Sequence, residues 1–135
     1  AAVTGRDSAE LKDKYPADEY VCFGEYHSDK EPFWVTTLHS FQKNHDCLID
    51  IAINKRGVLS PATFKRIPAV VFDYVFNQAN LIRCTATIRA SNEASIKLVL
   101  AWGFELEGVK RNGYFQPKIE DQFIFGLLKE NCQWL

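Results

Sequence analysis

The run Cys47-Leu48-Ile49-Asp50-Ile51-Ala52-Ile53 constrains the fold more than any other part of the chain. It reads as a strand that is largely apolar on both faces. Such a strand belongs near the middle of a sheet whose two faces are both covered. Asp50 interrupts it. A carboxylate on a buried strand has to be paired or shifted in pKa, so Asp50 is a candidate for proton chemistry as well as a strand residue.

Elements of both kinds flank this strand. Tyr20–His27 and Phe33–Leu38 are rich in strand formers, and the turn-like Ser28–Pro32 between them allows a hairpin. After the central strand, Asn54–Leu59 is a loop. Ser60-Pro61 then offers a hydroxyl N-cap followed by proline at the first helical position. Phe64, Ile67, Val70, Val71, Tyr74 and Val75 recur at helical spacing. Pro68 lies inside that pattern and predicts a kink or a first turn set apart. Asn77–Asn80 closes the helix, and Leu81–Ile88 alternates as a strand. Ser91 or Asn92 caps a second helix with the stripe Ile96, Val99, Leu100, and Gly103 stops it. Phe104–Lys110 and Gln122–Leu128 are two more strands, with the turn signal Asn112-Gly113 between them. Residues 1–18 are polar, with a short helical possibility at Ser8–Lys12. The order of elements supports one α+β or α/β domain with a mixed sheet.

Composition limits the function classes. The chain has 135 residues, 47% of them hydrophobic, and a formal net charge of -1. That suits one domain with a sizeable core. It gives no reason to expect nucleic acid or an anionic membrane as partner. No run reaches the roughly 18 apolar residues of a membrane helix, and no secretory signal is visible. The four cysteines, Cys22, Cys47, Cys84 and Cys132, are widely spread. They read as free thiols of a reducing compartment, the cytoplasm. His27, His39, His45 and Cys47 do not make a metal set, because no second spaced pair accompanies them.

The stretch Arg89–Arg111 contains Asn92-x-x-Ser95, a helix, and then Gly103-Phe104-x-x-Glu107-Gly108-x-x-Arg111. Further on, Asp121 precedes the apolar run Phe123-Ile124-Phe125 and Gly126-Leu127-Leu128. In order and spacing these residues resemble the GNAT superfamily of N-acetyltransferases. The likeness is to the branch related to ribosomal-protein N-terminal acetyltransferases, and the tail Lys129–Leu135 is similar to small GNAT-like proteins carried by bacteriophages. The resemblance begins near His45 and runs to the C-terminus. It implies a mixed, splayed central sheet flanked by helices, acetyl-CoA as cofactor, and an amine-bearing acceptor, either protein or small molecule.

The same resemblance assigns residues. The central strand and Leu81–Ile88 are the two strands that splay, and Ile51, Ala52 and Ile53 form the edge that pairs with the pantetheine arm. The loop Lys55-Arg56-Gly57-Val58-Leu59-Ser60 stands where the family binds pyrophosphate, with Leu59 and Pro61 in place of its usual glycines. Backbone N–H groups of Gly57–Ser60 can still cradle phosphate, and Lys55 and Arg56 are equally readable as a solvated turn. Asn92 corresponds to a pantetheine contact or to a plain N-cap. Ser95 corresponds to a hydroxyl near the leaving thiolate or to an ordinary first-turn serine. Lys97 is solvated or reaches the adenosine phosphate. Acetyl transfer needs a base to relieve the ammonium of its proton; the candidate is Asp50, the acid on the apolar strand, with Glu25, His27 and His39 behind it. The tyrosine acid of many relatives is missing from the second helix, which ends in Trp102 and Phe104.

A complete domain of this kind opens with a strand and two helices, and only about 18 residues precede Tyr20. Residues 19–135 therefore read as the domain and 1–18 as a short leading segment. A second subunit in a homodimer, a longer chain or an open acceptor site would account for the difference. The expected activity is direct acetyl transfer from acetyl-CoA to an amine. The alternative is a catalytically silent GNAT-like module in a phage particle or against a host protein.

Overall fold

The computed structural model describes residues 2–5, 20–26, 32–53 and 61–135. Strands β1 (Ala2–Gly5), β2 (Tyr20–Tyr26), β3 (Pro32–Gln42) and β4 (Asp46–Ile53) lead to helix α1 (Pro61–Asp73). Then come β5 (Arg83–Arg89), helix α2 (Glu93–Ala101), β6 (Glu105–Tyr114) and β7 (Glu120–Leu128). The strands form one seven-stranded sheet in the order β1-β2-β3-β4-β5-β7-β6. Every neighbouring pair is antiparallel except β4 and β5. The expected mixed sheet is present, with the Cys47–Ile53 strand at its centre. Polar residues 1–18 gave no strand signal, yet Ala2–Gly5 pairs with β2 and extends the sheet by one strand.

Both helices pack on one face, here the helix face. Phe23, Trp34, Leu38, Cys47, Ile49, Cys84, Ala86, Ile88, Phe125 and Leu127 point to it from the sheet, and Ile67, Val71, Phe72, Val99 and Trp102 meet them. Phe72 sits edge-on to Trp102, with ring centroids 6.2 Å apart. Each large side chain buried this fully contributes roughly 1.5–3 kcal/mol.

The helix ends follow from local chemistry. Asn92 caps α2 by accepting the Ser95 N–H at 3.2 Å. At the other end Phe104 N–H donates to Val99 C=O at 3.0 Å and Gly103 N–H to Leu100 C=O at 3.1 Å. Gly103 has φ +102°, which a side chain would oppose. Helix α1 begins at Pro61 as expected but continues through Pro68. Its irregularity falls later, in a wide turn at Tyr74–Gln78 where Ala79 N–H reaches back to Tyr74 C=O at 2.8 Å.

The Asn-Gly pair is a correction. Asn112 and Gly113 do not turn the β6–β7 hairpin; β6 runs on to Tyr114 and the connection is 115–119. Asn112 adopts φ 52° and the register shifts between Lys110 and Tyr114, so the pair makes a bulge inside the strand. Its left-handed residue is the one a tight turn also needs, which is why sequence alone misplaces it. The helical possibility at Ser8–Lys12 lies outside the described residues. Among the described residues, no helix is long and apolar enough to cross a membrane.

Candidate active site

Strands β4 and β5 run parallel and pair at a single register position, Leu48 opposite Thr85. Before it, the chains are tied: Ile82 and Arg83 N–H both donate to His45 C=O at 3.0 Å. Beyond it, β4 keeps β3 on its other side as far as Ile53, and β5 keeps β7 as far as Arg89. The facing edges of the two strands diverge, and the sheet opens as a fork.

Side chains alternate between faces along each strand. Asp46, Leu48, Asp50 and Ala52 of β4 share the face away from the helices, as do Arg83, Thr85, Thr87 and Arg89 of β5. At the closed end of the fork these groups bind one another. Thr85 Oγ1 lies 2.9 and 3.0 Å from the two oxygens of Asp46. Arg83 Nε is 3.4 Å from Asp46 and its Nη2 is 2.6 Å from Glu107 of β6. The Glu107 hydrogen bond, together with the charges of Glu107 and Asp46, holds the Arg83 guanidinium pKa above its ordinary value. Gly126 of β7 lies beneath: a Cβ there would come within 2.3 Å of Glu107 Oε2 and 2.6 Å of Arg83 Nη2. On the helix face of the same end, the buried Cys47 and Cys84 thiols stand 3.9 Å apart. Burial drives the Cys84 thiol pKa well up, so it stays protonated and inert.

The open end is arranged differently. Asp50 is not the buried carboxylate expected of a fully covered strand, because its side chain is 41% exposed. It does have a partner: His39 Nε2 of β3 approaches Asp50 Oδ2 at 3.2 Å. His39 Nδ1 lies 2.9 Å from the Ser40 hydroxyl. Ser40 has φ 54° and begins a register shift in β3, a bulge that sets His39 against Asp50. On the other prong, Tyr114 reaches across β7 and donates to Thr87 Oγ1 at 3.4 Å. Arg89 lies over the Tyr114 ring, 4.2 Å from its centroid. It also pairs with Glu120 at 3.3 Å and donates to Gln116 C=O. Glu120 in turn accepts the Ser91 N–H at 3.1 Å, which ties the turn before α2 to β7.

The expected site residues that are described fall into three groups. Asp50 and His39 are brought together beside the fork. Ile51 is half-buried and Ala52 exposed on the β4 prong, and Ile53 ends that strand. Asn92 and Ser95 open α2, where Asn92 is an N-cap and Ser95 is half-buried, while Lys97 is exposed. Lys55, Arg56, Gly57, Val58, Leu59, Ser60 and His27 lie outside the described residues. Sequence reasoning missed Thr87 and Tyr114. Tyr114 was hidden by taking Asn112-Gly113 as the turn, which ended β6 too early.

No protein-family model and no curated protein matches the chain. Solved structures do. A spermidine N-acetyltransferase from Vibrio cholerae, in complex with CoA and spermine, matches with a TM-score of 0.74 at 18% identity, over 90% of this chain and 73% of that one. A ribosomal-protein-S5-alanine acetyltransferase from Vibrio fischeri matches with a TM-score of 0.71 at 19% identity, over 93% of this chain and 68% of that one. The forked, mixed sheet with its helices is the GNAT acyl-CoA N-acyltransferase fold. At such identities the likeness is one of architecture, and function has to be argued from the site.

Proposed function

We propose that the protein is an N-acetyltransferase that moves an acetyl group from acetyl-CoA directly to an amine of a protein or small molecule. The observation that carries this reading is the fork with a carboxylate beside it. Two strand edges leave each other after Leu48 and Thr85, and Asp50 stands on the next outward position of one edge. Backbone N–H and C=O groups on a strand edge need partners. A slender, amide-bearing pantetheine arm supplies them, so the residues present suit this ligand. Bound acetyl-CoA would supply an acetyl thioester. Ile51, Ala52 and Ile53 hold the arm as a strand, with Asn92 at the N-terminus of α2 as a further contact. Residues 55–60 serve the pyrophosphate and Lys97 the adenosine end. Asp50 takes the proton from the acceptor ammonium, either directly or through one water. His39 fixes the carboxylate in place. Ser95, on the first turn of α2, is one source of the proton that sulfur needs on leaving. The similar spermidine and ribosomal-protein enzymes act on amines, which supports the acceptor class. Four free thiols suit a reducing cytoplasm, of a cell or of a phage-infected host.

Calorimetric titration of acetyl-CoA and CoA tests the reading, followed by acetyl transfer to a panel of polyamines and peptide N-termini. Micromolar binding is expected. Asp50→Asn should bind with unchanged affinity and transfer at least about 100-fold more slowly. A folded protein that binds neither ligand up to millimolar concentration would end the acetyltransferase reading.

A further inference from the structure

Asp50 and Thr87 occupy equivalent places on the two prongs. Each lies two residues past the last paired position, Leu48 opposite Thr85, and both point to the face away from the helices. Had β4 and β5 continued as a ladder, these two would be partners. The fork holds them apart on either side of one opening, one an acceptor of protons and the other a donor. Thr87 accepts from Tyr114. Among the described residues its own O–H proton has no acceptor, so that proton is available to the gap. Tyr114 is half-buried, and its ring faces the Arg89 guanidinium at 4.2 Å.

We propose that Thr87, backed by Tyr114, returns the proton to the departing sulfur in the acetyl transfer proposed above. The inference rests on that reading. As Asp50 takes the ammonium proton, the amine nitrogen bonds to the acetyl carbon and the carbon–sulfur bond breaks, its electron pair leaving with sulfur. Thr87 gives its hydroxyl proton to sulfur and takes the Tyr114 proton. The phenolate charge faces Arg89, and water restores the proton. Hydrogen-bonded hydroxyls in series polarise one another, which makes the terminal O–H a better donor than a lone threonine. Thr87 touches the reacting atoms, and Tyr114 acts through it as a positioning residue. Ser95 is the rival. It stands on α2, on the helix side of the sheet, whereas Thr87 is on the prong itself.

The test compares binding of CoA with binding of its analogue lacking the sulfur, near pH 9, where a thiol is well ionised. A donor aimed at the sulfur makes the protein prefer the thiolate ligand. Tyr114→Phe and Thr87→Val should each lose about tenfold to a hundredfold of that preference, as expected for one hydrogen bond to a charged group. Thr87→Ser should keep it. Turnover should follow the same order, with kcat falling and KM unchanged. Full preference in folded Tyr114→Phe and Thr87→Val, or its loss in Ser95→Ala alone, overturns the assignment. Failure of the unaltered protein to bind CoA would remove the acetyl-transfer reading itself, and this inference with it.

Discussion

The two ends of the fork are built from the same two strands, yet they use their polar side chains in opposite ways. At the closed end, Asp46, Thr85, Arg83 and Glu107 spend their hydrogen bonds on one another and tie β4, β5 and β6 together. At the open end, Asp50 meets His39 of β3, and Thr87 accepts from Tyr114 of β6. Strand pairing stops where this change occurs. A satisfied network rigidifies its surroundings, whereas strand edges that have parted leave backbone groups for a guest to pair with. The fork therefore joins a fixed hinge to a receptive mouth. Its specificity for a ligand depends on the first as much as on the second, because the closed end sets how far the prongs part.

That contrast can be broken from the closed end. Gly126→Val should have the largest effect on this network, because the flexible ends of Glu107 and Arg83 must swing aside and give up their ion pair, at a cost of about 1–2 kcal/mol. Its new side chain would occupy the space of Glu107 and Arg83. Urea unfolding measures the loss, and a variant as stable as the parent would show that the closed end is not fixed. Thr85→Val is sharper. It keeps the shape and removes the hydroxyl that bonds Asp46, and should cost about 1–2 kcal/mol. It should also weaken acetyl-CoA binding through the altered opening. A loss of stability with affinity unchanged would separate the hinge from the mouth.

What the sequence disclosed follows the same division. The central strand and the two helices were legible because burial writes a period into the residues, Ile49 and Ile51 on one strand, Ile96 and Val99 on one helix; the fork was implied only by the resemblance. The Gly103 stop was legible because its backbone demands that residue. Glu107 and Gly126 were visible only as spaced letters of a resemblance; the structure gives a setting for them, the Glu107 carboxylate and the Arg83 guanidinium lying over the glycine. Asp50 stood out as an acid in an apolar run, but its partner His39 comes from another strand, across a bulge that no local pattern announces. Tyr114 was least legible. It joins Thr87 across β7, and register between distant strands is set by the whole sheet rather than by either segment.

The smallest effect expected concerns acid, and it probes the mouth rather than the hinge. Glu120 holds the turn into α2 through Ser91. Hydrogen bonding from Ser91, foremost, with the Lys118 charge and a hydrogen bond from Arg89 behind it, keeps the Glu120 carboxyl pKa below the ordinary glutamate value of 4.5. A carboxyl whose folded value is depressed adds stability that is fully present above its unfolded value and is lost as pH falls through its folded one. The Ser91 tie should therefore be unchanged from pH 7 down to about 4.5 and should release only below it. At the closed end, the Arg83 pKa is raised rather than lowered, so Arg83 itself does not titrate anywhere in this range. An NMR titration of the Ser91 amide from pH 7 to 3 reads the difference, with Glu120→Gln as the flat control. A midpoint below 4.5 in the parent and no titration in the variant is the expected result. A midpoint at or above 4.5 would mean that Glu120 gains nothing from Ser91 on folding, and that the turn before α2 is held instead by backbone contacts such as Ala90 N–H to Asp121 C=O at 3.1 Å.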